Sequence, residues 1–129
     1  MSNDRRRTTG ALGERHAADH LERAGYRILQ RNFRTRFGEL DVVALDRRGL
    51  VFCEVKTRVR GTSAGPVGPL DAIGTAKRRR LRAMAREWLR SPAARVRRRP
   101  GRDIRFDAIG VLLAEDGALV SLEHVEDAF

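Results

Sequence analysis

The chain has 129 residues and a mass of 14.5 kDa, with 41% hydrophobic and 34% charged residues. This is one domain of globular composition, without the run of ~18 apolar residues that a membrane-spanning helix needs. Its one cysteine, Cys53, excludes an intramolecular disulfide framework and a cysteine-only zinc site, and a net charge of +10 favours polyanionic partners.

Residues 1–7 read as a flexible basic arm with no apolar h-region, so a cytoplasmic protein with no membrane association is the expectation. Residues 8–129 read as one domain. Thr8 or Thr9 can cap a helix to about Ala24, ended by Gly25, with Leu12, Ala17, Ala18, Leu21 and Ala24 along its apolar stripe. Tyr26 to Arg34 reads as a strand. Residues 37–45 and 50–58 read as two stronger strands, joined by the hairpin loop Asp46-Arg47-Arg48-Gly49. Residues 59–69, rich in Gly and Pro, read as a loop. A helix over 70–90 follows, burying Ile73, Ala76, Leu81, Met84, Ala85, Trp88 and Leu89, and Pro92 closes it. Residues 91–102 read as a basic loop. Strands over 103–114 and 118–125 flank a turn at Asp116-Gly117. The expected fold class is α/β, with a mixed central sheet flanked by helices in the order α-β-β-β-α-β-β.

The charge is unevenly spread. Residues 77–105 hold 13 basic groups and two acids, whereas 109–129 hold five acids and no Lys or Arg. Nucleic-acid contact follows from such a patch, although an arginine-rich chain also solvates its surface this way. Of the 27 basic residues only Lys56 and Lys77 are lysine. A compact ammonium fits a tight site and shifts its pKa where a guanidinium does not.

The hairpin carries the chemistry. With 46–49 as the loop, Leu45 faces Leu50, Val43 faces Phe52, Asp41 faces Glu54 and Glu39 faces Lys56. Opposed residues point to one side of the sheet with Cβ atoms ~5 Å apart. Two carboxylates at that distance repel by roughly 3 kcal/mol at an effective dielectric of 20. A divalent cation would turn the repulsion into a site, and hard oxygen ligands suit Mg²⁺ or Mn²⁺. Lys56 could then orient the attacking water and offset phosphate charge. The same residues could equally form surface ion pairs, with Lys56 bridging Asp41 and Glu54. Glu14 falls along the apolar stripe of the first helix. It is either a carboxylate near a metal or a first-turn acid favoured by the helix dipole. Glu39 serves to hold Lys56. Arg34 and Arg58 suit phosphate contact, and Lys77 opens the basic run of the second helix. His16 and His20 lack further zinc ligands and read as solvated, and Cys53 reads as a core residue.

Gly13-Glu14, Arg31-Asn32-Phe33-Arg34, Gly38-Glu39-Leu40-Asp41, Glu54-Val55-Lys56-Thr57-Arg58, Lys77, Arg105-Phe106-Asp107 and Ala128-Phe129 together resemble the YraN-type family of small bacterial proteins, over residues 10–129. That family is similar to the restriction-endonuclease-like nucleases with the PD-(D/E)xK signature, and among them to the archaeal Holliday-junction resolvases. The resemblance implies a metal-dependent endonuclease hydrolysing DNA phosphodiester bonds, branched or recombination DNA among them. Asp41, Glu54 and Lys56 would be the signature residues, and Glu14 the first-helix acid. Mg²⁺ or Mn²⁺ would be held by Asp41, Glu54, Glu14 and the Val55 carbonyl. Leu40 stands where the nominal Pro of the signature would be. Arg78, Arg79, Arg80, Arg97, Arg98 and Arg99 would grip the backbone. Two cuts in a symmetrical junction would call for a homodimer. The rival expectations are a non-catalytic nucleic-acid-binding module on a nuclease fold and a basic scaffold for an acidic partner.

Overall fold

The computed structural model describes residues 3–61, 75–97 and 103–129, excluding the side chains of 3–6 and 95–97. Its elements are α1 (Asn3–Arg23), β1 (Arg27–Thr35), β2 (Gly38–Leu45), β3 (Gly49–Val59), α2 (Thr75–Arg90), α3 (Pro92–Arg97), β4 (Asp103–Leu113) and β5 (Leu119–Val125). The chain is thus an α/β domain in the expected order, with one short helix added. Ile73, the Gly/Pro loop over 62–69 and the helix start over 70–74 lie outside the described residues, as do Arg98 and Arg99.

Three boundaries differ from the sequence reading. Helix α1 begins at Asn3, so Thr8 and Thr9 lie inside it and do not cap its start. Strand β3 runs through Val59, into the stretch assigned to a loop, because it pairs with β4 along its whole length. Residues 92–97 form α3 instead of a basic loop. Pro92 stops α2 and then starts α3, where a missing N–H costs nothing. The Ser91 carbonyl accepts the Ala94 N–H at 3.1 Å, closing that first turn, and Ala94 is fully buried.

The strands form one sheet in the order β1-β2-β3-β4-β5. All neighbours are antiparallel except β3 and β4, which are parallel and joined through α2 and α3. Each face carries a core. Helix α1 covers one, where Ala17 and Leu21 meet Val42, Ala44, Val51, Cys53, Ile109 and Val111. Helix α2 covers the other, where Leu81, Met84 and Trp88 meet Leu40, Val43, Phe52 and Phe106. The period-2 alternation of the strands builds this double-sided core. Trp88 lies beneath its helix and donates to Gln30 Oε1 at 2.7 Å.

The hairpin register is the expected one at its turn end, with Leu45 opposite Leu50 and Val43 opposite Phe52. The Asp46 carboxylate organises the turn by accepting the N–H groups of Arg48 (2.8 Å) and Gly49 (3.0 Å). The pairing then stops at Val42 and Cys53. Asp41 does not stand opposite Glu54 in a ladder, nor Glu39 opposite Lys56. Instead β2 stays with β1 to its start, where Thr35 pairs Gly38. Val42 packs on the α1 side and Leu40 on the α2 side, so the alternation slips between them. Asp41 lies at this slip, and its Oδ2 accepts the Val55 N–H at 2.8 Å in place of a backbone carbonyl.

Candidate metal centre and its surroundings

The fork between β2 and β3 gathers carboxylates. Glu39 and Asp41 come from β2, and Glu14 comes from α1. One oxygen from each lies within 4.8 Å of the other two. Oxygens around an octahedral Mg²⁺ at ~2.1 Å stand about 3 to 4 Å apart, so this acidic triad could hold a metal ion with little movement.

Glu14 reaches the fork because Gly13 lets α1 approach β3 at backbone distance. A Cβ at Gly13 would fall 1.8 Å from Thr57 Oγ1. Asn32 on β1 completes the cluster. It occupies the left-handed region at φ 55°, which a short amide side chain tolerates. With its amide nitrogen turned to the carboxylates, it donates to Glu14 Oε1 (2.7 Å) and Glu39 Oε1 (2.9 Å).

The electrostatics are those of crowded acids. Burial, then the charge of Glu54, pushes the Asp41 carboxyl up to about 8, against the lowering effect of the Val55 N–H. Burial and Glu39 raise Glu14, while Arg31 and the Asn32 amide act in the opposite direction. A carboxyl that keeps its proton in this way is one that gains from a cation.

Glu54 is placed differently from the expectation. Its Oε1 lies 2.8 Å from Lys77 Nζ, and both side chains are largely buried, at 14% and 16% exposure. It is outside the three-carboxylate group, though close enough for its charge to raise Asp41 and Glu14. Lys56 lies beside Lys77, whose charge is the first cause lowering its pKa, ahead of burial. The two lysines of the chain therefore meet at one place. Val55 meets Asp41 through its N–H.

The phosphate-contact candidates spread more widely. Arg78, Arg79 and Arg80 are exposed on α2. Lys77 points inward to Glu54 instead of joining them. Arg34 is 89% exposed and lies 3.8 Å from Glu39. Arg58 is half-buried on β3. Arg97 belongs to α3, but its side chain is outside the described residues.

The sequence profile described as "Uncharacterised protein family UPF0102" matches residues 13–111. The chain belongs to family UPF0102. The matched span begins at the Gly13 that admits α1 to the sheet, and it holds the acidic triad, Glu54 and both lysines. The chain is similar to a UPF0102 protein of Rhodococcus opacus, 42% identical over 120 residues, covering 93% of this chain and 94% of the relative. It is also similar to a UPF0102 protein of Acidothermus cellulolyticus, 45% identical over 130 residues, covering 96% and 95%.

Two features of this UPF0102 chain escaped the sequence reading. Glu39 belongs to the acidic cluster, and the Glu39-x-Asp41 spacing of two on a strand was the available signal. The other is a network around Asp107, which is fully buried. Arg105 grips it with two bonds, Nε to Oδ1 at 2.8 Å and Nη2 to Oδ2 at 3.0 Å. His124 Nε2 lies 2.8 Å from Asp107 Oδ2, and His124 Nδ1 lies 3.0 Å from His20 Nε2. His20 is therefore half-buried and bonded, not solvated, because β5 brings His124 to it. Cys53 is buried in the core as expected, and burial pushes its thiol pKa up. Among the described residues no helix is long and apolar enough to cross a membrane.

Proposed function

We propose that this UPF0102 protein is a metal-dependent endonuclease that hydrolyses phosphodiester bonds in DNA, branched or recombination structures among its substrates. The observation that carries the reading is the convergence of Glu14, Glu39 and Asp41 within 4.8 Å, beside Glu54 and the two lysines. Glu14, Glu39 and Asp41 hold Mg²⁺ or Mn²⁺, with Glu54 and the Val55 carbonyl adjoining. The cation supplies Lewis acidity toward a phosphate oxygen and favours ionised water. Asn32 fixes Glu14 and Glu39 in position. Lys56 donates hydrogen bonds to the attacking water and offsets the charge that develops on phosphate. Lys77 holds Glu54. The exposed arginines of α2 take the DNA backbone, and two copies of the chain supply the two cuts that a symmetrical junction needs.

The test is cleavage of labelled linear, single-stranded and four-way-junction DNA in Mg²⁺, Mn²⁺ or chelator. The parent is compared with Asp41→Asn and Lys56→Ala. Metal-dependent cutting by the parent, abolished in both variants, is the expected result. Tight binding with no cutting in any metal would replace the reading with a DNA-binding module.

A further inference from the structure

A groove of about 730 Å³ opens between the first half of α1 and the ends of β3 and β4. It adjoins the acidic cluster, because Glu14 belongs to both and the groove-lining Val55 bonds Asp41 through its N–H. Leu12, Val59 and Leu113 give it an apolar floor. Thr8, Thr9 and Thr57 place hydroxyls along its sides, and Arg60 stands at its rim. Glu115 and Asp116 close the end away from the cluster. The volume falls within the range of small-molecule sites.

We infer that this groove receives one unpaired nucleotide of the DNA strand whose phosphate lies at the acidic cluster. The inference rests on the nuclease reading and narrows its substrate to DNA with an unpaired base beside the cut. Three parts of the groove match three parts of a nucleotide. The phosphate remains at the cluster, where a cation compensates its charge. The base lies on the apolar floor, which a paired base inside a duplex does not reach. Carboxylates accept hydrogen bonds and repel phosphate, so Glu115 and Asp116 suit the N–H donors of an exposed Watson–Crick edge and not a second phosphate. The threonine hydroxyls suit the sugar and the flanking phosphate oxygens.

The experiment measures equilibrium binding of two labelled DNAs in Ca²⁺. One is a fully paired duplex and the other carries a single unpaired nucleotide. The proteins are the parent, Ala114→Trp and Gly10→Trp, which fill the groove from opposite walls and leave the acidic residues and the threonine hydroxyls in place. Circular dichroism and thermal melting check that each variant is folded. The parent should bind the unpaired site about tenfold more tightly than the duplex. At least one folded variant should lose that preference while its affinity for the duplex stays unchanged. Equal affinity of the parent for both DNAs overturns the inference, as does a preference untouched in two folded variants. If the parent nevertheless cuts paired DNA with Mg²⁺, only the groove assignment falls. Absence of any DNA binding or cutting removes the nuclease reading as well.

Discussion

A methyl group on Gly13 would fall 1.8 Å from Thr57 Oγ1, so helix α1 touches strand β3 at a point where only glycine fits. The neighbouring Glu14 enters the acidic cluster through this contact. Gly13→Ala forces α1 outward, which typically costs about 1–3 kcal/mol. The shift also withdraws one of the three carboxylates. The expected outcome is a lower melting temperature together with weaker Mn²⁺ binding by isothermal titration calorimetry. A melting change with unaltered Mn²⁺ affinity would show that the helix is not what sets the position of Glu14.

Asp41 governs the pH dependence on the alkaline side. Its carboxyl titrates at about 8 in the fold and near 3.8 when unfolded. Between those values the folded protein holds a proton that the unfolded chain has released, so metal-free stability falls as pH rises from about 4 to 8. Asp41→Asn removes this loss. Without metal, the variant should melt higher than the parent at pH 8, by about 1–3 kcal/mol, and nearly level with it at pH 4. With Mg²⁺ added, the parent should recover and the variant should not. Parallel melting curves of the two proteins across this range would contradict the assignment.

Asp107 sets the acid side. Its hydrogen bonds to His124, Arg105 and the Asp127 N–H overcome burial and bring its carboxyl down to about 2, against 3.8 when unfolded. The stability it contributes is present above pH 4 and lost as pH falls toward 2, amounting to about 2 kcal/mol. His20 acts in the same direction at higher pH. Burial and the neighbouring His124 and Arg23 lower its pKa below the ordinary 6.5, so the unfolded chain takes the proton first and stability drops as pH falls below that value. Asp107→Ala leaves Arg105 and His124 without their shared acceptor and should cost about 3–5 kcal/mol. Chemical denaturation at pH 7 reads this directly. His20→Gln should flatten the decline between pH 7 and 5 in the same measurement.

Lys77 and Lys56 separate holding from chemistry. Lys77→Ala strands a largely buried Glu54 carboxylate beside Asp41. Breaking such a pair costs about 3–5 kcal/mol in a fully buried setting and less here. Added Mg²⁺ should restore part of the loss, because the cation replaces the ammonium. Lys56→Ala exposes no such charge, since Lys56 is exposed, and should leave the melting temperature near the parent's. Under the proposed nuclease function its effect falls on turnover, with an expected drop of about 100-fold or more in the cleavage rate. Equal stability losses in the two variants would refute this division.

The sequence and the structure agree where local chemistry decides. Asp46-Arg47-Arg48-Gly49 specifies its turn, and the paired apolar residues up to Val42 and Cys53 follow from that turn by counting. Counting fails beyond Val42, because β2 leaves β3 there and Asp41 answers the Val55 N–H with its side chain. No local signal announces that fork. Glu14 was legible as an acid on an apolar stripe, and its neighbours were not, since they depend on how closely α1 approaches β3. Asp107 and His124 lie on separate strands, 17 residues apart. The family resemblance covered Asp107 without a role, and only the sheet order brings His124 to it. The scarcity of lysine proved informative, since Lys56 and Lys77 come from different elements and meet at Glu54.

The arginines of α2 make the proposed DNA surface testable residue by residue. At about 100° per residue, Arg79, Arg86 and Arg90 fall within about 20° of one line on the helix. That line is roughly opposite the stripe of Leu81, Met84 and Trp88 that enters the core. Arg78 and Arg80 lie on the two flanks, and consecutive arginines cannot face one duplex together. The run Arg78-Arg79-Arg80 therefore overstates its share, and Arg79, Arg86 and Arg90 are the residues positioned to follow a phosphate backbone. Each phosphate contact contributes about 0.9 to the slope of log affinity against log salt. Arg79→Ala and Arg86→Ala should each lower that slope by close to this amount, and their combination by about twice as much. Arg80→Ala should change it by less than half. The measurement is duplex affinity by fluorescence anisotropy between 50 and 200 mM salt, roughly the range over which such contacts weaken binding most visibly. Equal slopes for all three variants would move the DNA surface off α2.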